Sequence, residues 1–145
     1  MTITFEIPGE PRGKGRPRFQ RRGDYVHTYT PDGTARYENL VAMMYYNAAK
    51  NTKLEGPIAM DAYIFFEVPK SKSKKVRQAM LDGEIMPTIK CDIDNIVKIV
   101  LDGLNKVAFD DDKQVVDLTA HKRYSLQPRV IISLKEMNER RTPNE

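Results

Sequence analysis

The segment from Ile93 to Lys106 places the tightest constraint on the fold. Ile93, Ile96, Val97, Val100, Leu101 and Leu104 recur at the spacing of one helical face, while Asp94, Asn95, Lys98, Asp102 and Asn105 fall on the other. A helix with one apolar stripe must lie on something, so the chain has to supply a layer to receive it. Asp92, just ahead of it, is placed as N-cap, where a carboxylate can accept from the free amides of the first turn. Two carboxylates, an amide and a lysine therefore meet at one helix start, and hard divalent cations favour oxygen ligands of this kind.

The receiving layer is legible as strands. Thr2 to Ile7 alternates, with Ile3, Phe5 and Ile7 on one side, and Pro8-Gly9 ends it. Residues 9–24 hold Gly, Pro and Arg with little apolar content and read as a loop. Tyr25 to Thr30 is a short strand rich in β-formers. Pro31-Asp32-Gly33-Thr34 starts a helix from about Ala35 to Lys50, its stripe made of Tyr37, Leu40, Val41, Met44, Tyr45 and Ala48. Ile58 to Val68 alternates as the longest strand. A short helix ends near Leu81 at Asp82-Gly83. Two further strands follow, one from Gln114 through Thr119 toward Tyr124, the other from Pro128 to Met137. The mixture predicts an α+β fold: a small single domain with a mixed β-sheet and helices packed on it, covering residues 1–138, then a charged C-terminal tail at 139–145.

Composition narrows the class. A chain of 145 residues suffices for one domain with a real core. No apolar run approaches the roughly 20 residues of a membrane span, so no membrane partner is expected. The first residues read as a strand rather than a signal peptide. The single cysteine, Cys91, excludes an internal disulfide and fits a reducing, cytoplasmic setting. With two histidines besides, a structural zinc site within one chain is not expected.

Net charge is +4, but its distribution says more than its size. Arg12, Lys14, Arg16, Arg18, Arg21 and Arg22 crowd one segment, and Lys70, Lys72, Lys74, Lys75 and Arg77 a second. Acidic charge collects around Asp92 and Asp94 and in Asp110-Asp111-Asp112. Basic flanks around an acidic centre suggest a polyanion gripped at the rim and a metal in the middle. Solvated surface charge is the competing reading. Phe19, set among arginines, suits either stacking on a base or packing into the domain.

Hydrolysis of a phosphodiester needs an activated water, neutralisation of the transition state and help for the leaving oxygen. Carboxylate-held metal meets the first two needs, and a nearby lysine can serve the third. Asp92, Asp94 and Lys98 have this chemistry on one helical turn, and the Asp run can return a third carboxylate. Each also has a plain structural reading: Asp92 as a cap, Asp94 and Lys98 as an i,i+4 surface pair in the favourable order, the Asp run as a solvated loop. Spacing alone leaves both open.

The combination Asp92-Ile-Asp94-Asn95-Ile-Val-Lys98, Leu101-Asp102-Gly-Leu104-Asn105 and Phe109-Asp110-Asp111-Asp112-Lys-Gln114-Val-Val-Asp117 resembles the core of the RusA family of Holliday junction resolvases. The likeness extends more loosely to Pro8-Gly9, to Gly13-Lys14-Gly15-Arg16-Pro17-Arg18-Phe19 and to Tyr29-Thr30-Pro31. It implies a homodimeric endodeoxyribonuclease of phage, prophage or bacterial origin. Such an enzyme cuts opposed strands of four-way DNA junctions, in recombination and repair, with Mg²⁺ (Mn²⁺ able to substitute) and no small-molecule cofactor. By motif position Asp92, Asp94 and Asp112 are implied as metal-binding catalytic carboxylates and Lys98 as the catalytic lysine. The loop ahead of the Asp run is a residue shorter than in some members, which sets Asp111 beside Asp112 as a rival, with Asp112 preferred. Cys91 replaces the expected proline or basic residue. Arg12, Lys14, Arg16, Arg18, Arg21, Arg22, Lys72, Lys74 and Lys75 are the expected DNA-phosphate contacts. The alternatives are a structure-tolerant metal-dependent nuclease, a non-catalytic DNA-binding module, and a protein adaptor whose contact face is the Tyr37–Tyr45 helix.

Overall fold

A computed structural model describes residues 1–15, 18–23, 25–29 and 32–137. The position of Arg16, the side chains of Arg18, Phe19 and Arg22, and the tail expected at 139–145 lie outside the described residues. The elements in order are β1 (Thr2–Pro8), β2 (Arg18–Arg22), β3 (Tyr25–Tyr29), α1 (Asp32–Ala49), β4 (Ile58–Glu67), α2 (Lys74–Leu81), α3 (Ile93–Leu104), β5 (Val115–Ser125) and β6 (Arg129–Glu136). A 3-10 turn, Asp112–Gln114, precedes β5.

Four strands form one mixed sheet in the order β1-β6-β4-β5. β6 pairs antiparallel with both β1 and β4, whereas β5 runs parallel to β4. Parallel neighbours need a crossover, and the chain between them makes it through α2 and α3. The architecture is a single α+β domain with a mixed sheet and three helices. One sheet face is apolar because alternate residues point the same way: Phe5 and Ile7 of β1, Met60, Ala62, Ile64 and Phe66 of β4, and Val130, Ile132 and Leu134 of β6. The helices cover that face with Tyr37, Val41 and Tyr45 of α1 and Ile96, Val97, Ile99, Val100 and Leu104 of α3. Each fully buried large aliphatic here contributes about 1.5–3 kcal/mol through burial. Phe5 meets the Tyr45 ring edge-on at 5.6 Å, and the Tyr45 hydroxyl donates to the Thr52 carbonyl at 2.6 Å.

Tyr37, Val41 and Tyr45 of the expected α1 stripe are thus spent inside the chain, which removes Tyr37 and Tyr45 as an adaptor's contact face, while Ala48 at its far end is exposed. The α3 stripe is rotated slightly from the expected one: Ile99 is buried, and Ile93 is 38% exposed at the helix start. The stretch expected as a loop also holds structure. Arg18–Arg22 pairs antiparallel with Tyr25–Tyr29, with Gly23 at φ +60 in the connection. Backbone pairing makes this strand without the apolar alternation that would advertise it.

Candidate active site

Two close approaches build the site. Where α3 crosses α1, Gly103 leaves so little room that a Cβ would stand 2.8 Å from the Glu38 carbonyl oxygen and 2.8 Å from Val41 Cβ. This contact brings Asp102 of α3 beside Glu38 of α1. The second approach is the strap 11–15, which crosses the start of α3. Lys14 N donates to the Asn95 carbonyl at 3.0 Å, and Gly15 N donates to Thr34 Oγ1 at 3.1 Å. A Cβ on Gly13 would meet Cys91 Cβ at 3.2 Å and Asn95 Cβ at 3.3 Å. The half-buried Cys91 thiol faces the Pro11 carbonyl at 4.0 Å. Burial, with Cys91 adding to it, pushes the Tyr37 phenol well above its ordinary pKa.

Asp92 does occupy the N-cap position, but its carboxylate takes no cap hydrogen bond, contrary to the role expected for it. It lines an open depression with Arg12, Lys14, Lys90, Cys91 and Asn95. Asp94 is exposed one turn from Lys98, and among the described residues it makes no ion pair. Lys98 instead reaches forward to Asp102 Oδ1 at 3.2 Å and across to Asp112 Oδ2 at 3.9 Å. The lysine-first order of Lys98 and Asp102 is the weaker one on an isolated helix, so tertiary context selects it. Among the described residues, neither a cap hydrogen bond from Asp92 nor an Asp94–Lys98 pair forms.

The three consecutive aspartates separate by task. Asp110 is exposed and pairs with Lys53 at 3.0 Å. Asp111 caps the 3-10 turn, accepting from Lys113 N at 3.0 Å, while Gln114 Oε1 accepts from the backbone of Asp110 at 3.0 Å and Asp111 at 3.2 Å. Gln114 Nε2 also donates to the Gly56 carbonyl at 3.1 Å, stitching this turn to the loop before β4. The backbone bond from Lys113 holds the Asp111 carboxyl below its ordinary pKa. Only Asp112 of the three reaches the α3 lysine.

Two residues beyond the expected set complete the arrangement. Asp102 is shared between Lys98 and Lys14, and Lys14 Nζ also meets Glu38 Oε1 at 2.5 Å. Partial burial raises the Asp102 carboxyl, but the bonds from Lys14 and Lys98 outweigh it and hold it below the usual carboxylate range. Burial likewise lowers the Lys14 ammonium, and its bonds to Glu38 and Asp102 reverse that. Lys14, expected as a DNA contact, is thus engaged by two carboxylates. Asp102 could have been found from its place four residues after Lys98; Glu38 left no signal, since only the helix crossing brings it near. Lys122 of β5 donates to the carbonyls of Ile89 at 2.8 Å and Cys91 at 3.0 Å, fixing the approach to α3.

Arg12 and Arg21 are exposed, and Arg18 and Arg22 stand in β2. Lys70, Lys72, Lys74 and Lys75 are all exposed. Lys74 and Lys75 open α2 behind the Ser73 cap, with no acidic residue in that first turn. Lysines at the positive end of a helix cost some stability and concentrate potential that favours a phosphate.

The carboxylates suit Mg²⁺ in kind. Among the described residues no three Asp, Glu, His or Cys side chains gather closely enough to cage an ion. Mg²⁺ does not require a protein cage: it keeps several waters and binds through one or two carboxylates together with substrate phosphate. The arrangement fits such a half-open site.

A family model described as Endodeoxyribonuclease RusA matches residues 8–135. "Uncharacterized protein YqaN" of Bacillus subtilis (strain 168) is 38% identical over 138 residues, which is 94% of this chain and 97% of that protein.

Proposed function

The chain belongs to the RusA family of endodeoxyribonucleases, and from that premise we propose that it is a Mg²⁺-dependent, homodimeric nuclease that resolves four-way DNA junctions by paired cuts in recombination and repair. The observation that carries the reading is the convergence of Asp112 on Lys98, one turn from Asp94, which makes no ion pair among the described residues, and close to Asp92, whose carboxylate takes no cap bond.

Asp92, Asp94 and Asp112 would bind Mg²⁺, one or two of them directly and the rest through its waters, with Mn²⁺ as an effective substitute. When bound, the metal eases formation of the attacking hydroxide and offsets phosphate charge. Lys98 places its ammonium where negative charge grows on the phosphate and the leaving oxygen, held there by Asp102 and Asp112. Asp111, Gln114 and the Leu54–Gly56 loop keep Asp112 turned toward α3. Arg12, the β2–β3 hairpin with Arg18, Arg21 and Arg22, and Lys72, Lys74 and Lys75 bind junction arms through phosphates, with little sequence information. A two-fold dimer matches two related scissile phosphates. In a bacterial host the setting for this work is the cytoplasm.

Substrate choice tests the reading. With Mg²⁺ present, a synthetic four-way junction is expected to receive symmetric nicks near the crossover. Linear duplex, flap and single-stranded DNA of the same sequence are expected to be cut at least about tenfold more slowly. Equal cutting of all four would point to a structure-tolerant nuclease, and no cutting of any to a binding module.

A further inference from the structure

An unbroken series of opposite charges runs from α1 to the 3-10 turn. Glu38 Oε1 lies 2.5 Å from Lys14 Nζ, which lies 2.9 Å from Asp102 Oδ2. Asp102 Oδ1 lies 3.2 Å from Lys98 Nζ, which in turn lies 3.9 Å from Asp112 Oδ2. Lys14 and Lys98 therefore hold opposite oxygens of one carboxylate, and the first lysine fixes the plane in which the second is met.

The backbone delivers Lys14 to this position. Its own amide is bound to Asn95, the next amide to Thr34, and the preceding Gly13 is wedged against Cys91 and Asn95. A lysine that grips phosphate from the surface needs no such fixing. The side chains of Lys14, Glu38 and Asp102 are only 26%, 24% and 20% exposed, so their charges are incompletely screened. Without Lys14, the Glu38 and Asp102 carboxylates would face each other across the α1–α3 seam with no cation between them.

We propose that Lys14 is a positioning residue, which neutralises Glu38, holds Asp102 Oδ2 and thereby aims Asp102 at the catalytic Lys98, rather than a ligand for DNA phosphate. The proposal rests on the nuclease reading with Lys98 at the scissile phosphate. It also assigns a purpose to the strap: the basic segment that continues into the β2–β3 hairpin is anchored to the catalytic lysine through one shared carboxylate, Asp102.

The test uses the full chain and reads two quantities: the single-turnover cleavage rate with Mg²⁺, and junction affinity over a range of salt. Lys14→Met is expected to lower the rate about tenfold or more, since small misplacement of a catalytic group is costly, while Kd and its salt slope hold within about twofold. Lys14→Arg, which keeps the cation, should recover most of the rate. Lys14→Met combined with Glu38→Gln should recover part of it, because the opposed like charges are gone. This double variant also serves if Lys14→Met alone fails to fold. An unchanged rate with weakened binding and a salt slope reduced by about one would overturn the proposal in favour of a phosphate contact.

A readout independent of cleavage separates this claim from the nuclease reading. Acylation of Lys98 by an amine-reactive ester, followed by mass spectrometry, should speed up about threefold or more in both Lys14→Met and Asp102→Asn. Unchanged Lys98 labelling in Lys14→Met overturns the positioning role whether or not the chain cuts DNA. Absence of cleavage with faster labelling overturns only the nuclease reading.

Discussion

At the scale of single residues, the local partners of each acidic side chain separate scaffold from candidate chemistry. Asp111 spends its carboxylate on the cap of the 3-10 turn, whereas Asp112 turns to Lys98. Asp111→Ala is therefore expected to lower the denaturant unfolding midpoint, through the lost cap of the turn. Asp112→Asn should leave the unfolding midpoint nearly unchanged and remove cleavage. The opposite assignment, with Asp111→Asn inactive and Asp112→Asn active, would reverse the roles of the pair. The two could not be separated in the sequence because neighbouring aspartates carry the same chemistry, and only the Gln114 and Lys113 bonds divide them. Asp94 and Lys98 stood out at once, but their spacing suggested a pair that the folded chain replaces with Lys98 and Asp102.

At the scale of elements, periodicity exposed most of the architecture. The alternation in β4 and β6 and the apolar stripes of α1 and α3 are direct records of one buried face. β5 leaves none, its Val116 and Leu118 being exposed, and neither do β2 and the 3-10 turn. β2 reads Arg-Phe-Gln-Arg-Arg and is a strand because β3 pairs with it, not because it has a face to bury. The 3-10 turn is too short for a period. The α1–α3 crossing was equally hidden, since a glycine within a helix pattern does not say what it approaches. Gly103→Ala tests that crossing. Alanine favours a helix by up to about 1 kcal/mol, yet its Cβ would fall 2.8 Å from the Glu38 carbonyl oxygen. A net loss of about 1–3 kcal/mol is expected in thermal or denaturant unfolding, because packed helices must part. A stabilised Gly103→Ala would mean that the seam is looser than drawn.

For the whole molecule, the sheet, the helix seam and the strap all meet α3. β5 holds the approach to α3 through Lys122, and the turn that carries Asp112 leads into its beginning. The strap passes over the same helix start. A net charge of +4 supplies attraction for a polyanion, while the acidic centre would repel it unless a divalent cation intervened. That balance is the physical case for a metal-dependent DNA-cutting site within a family of endodeoxyribonucleases. The most direct test is the single-turnover cleavage of a four-way junction with Mg²⁺ by wild type, Asp94→Asn and Lys98→Ala, with junction affinity measured alongside. The account predicts losses of about a hundredfold or more in both variants, with affinity held within about twofold; cleavage by both variants at the wild-type rate would contradict it.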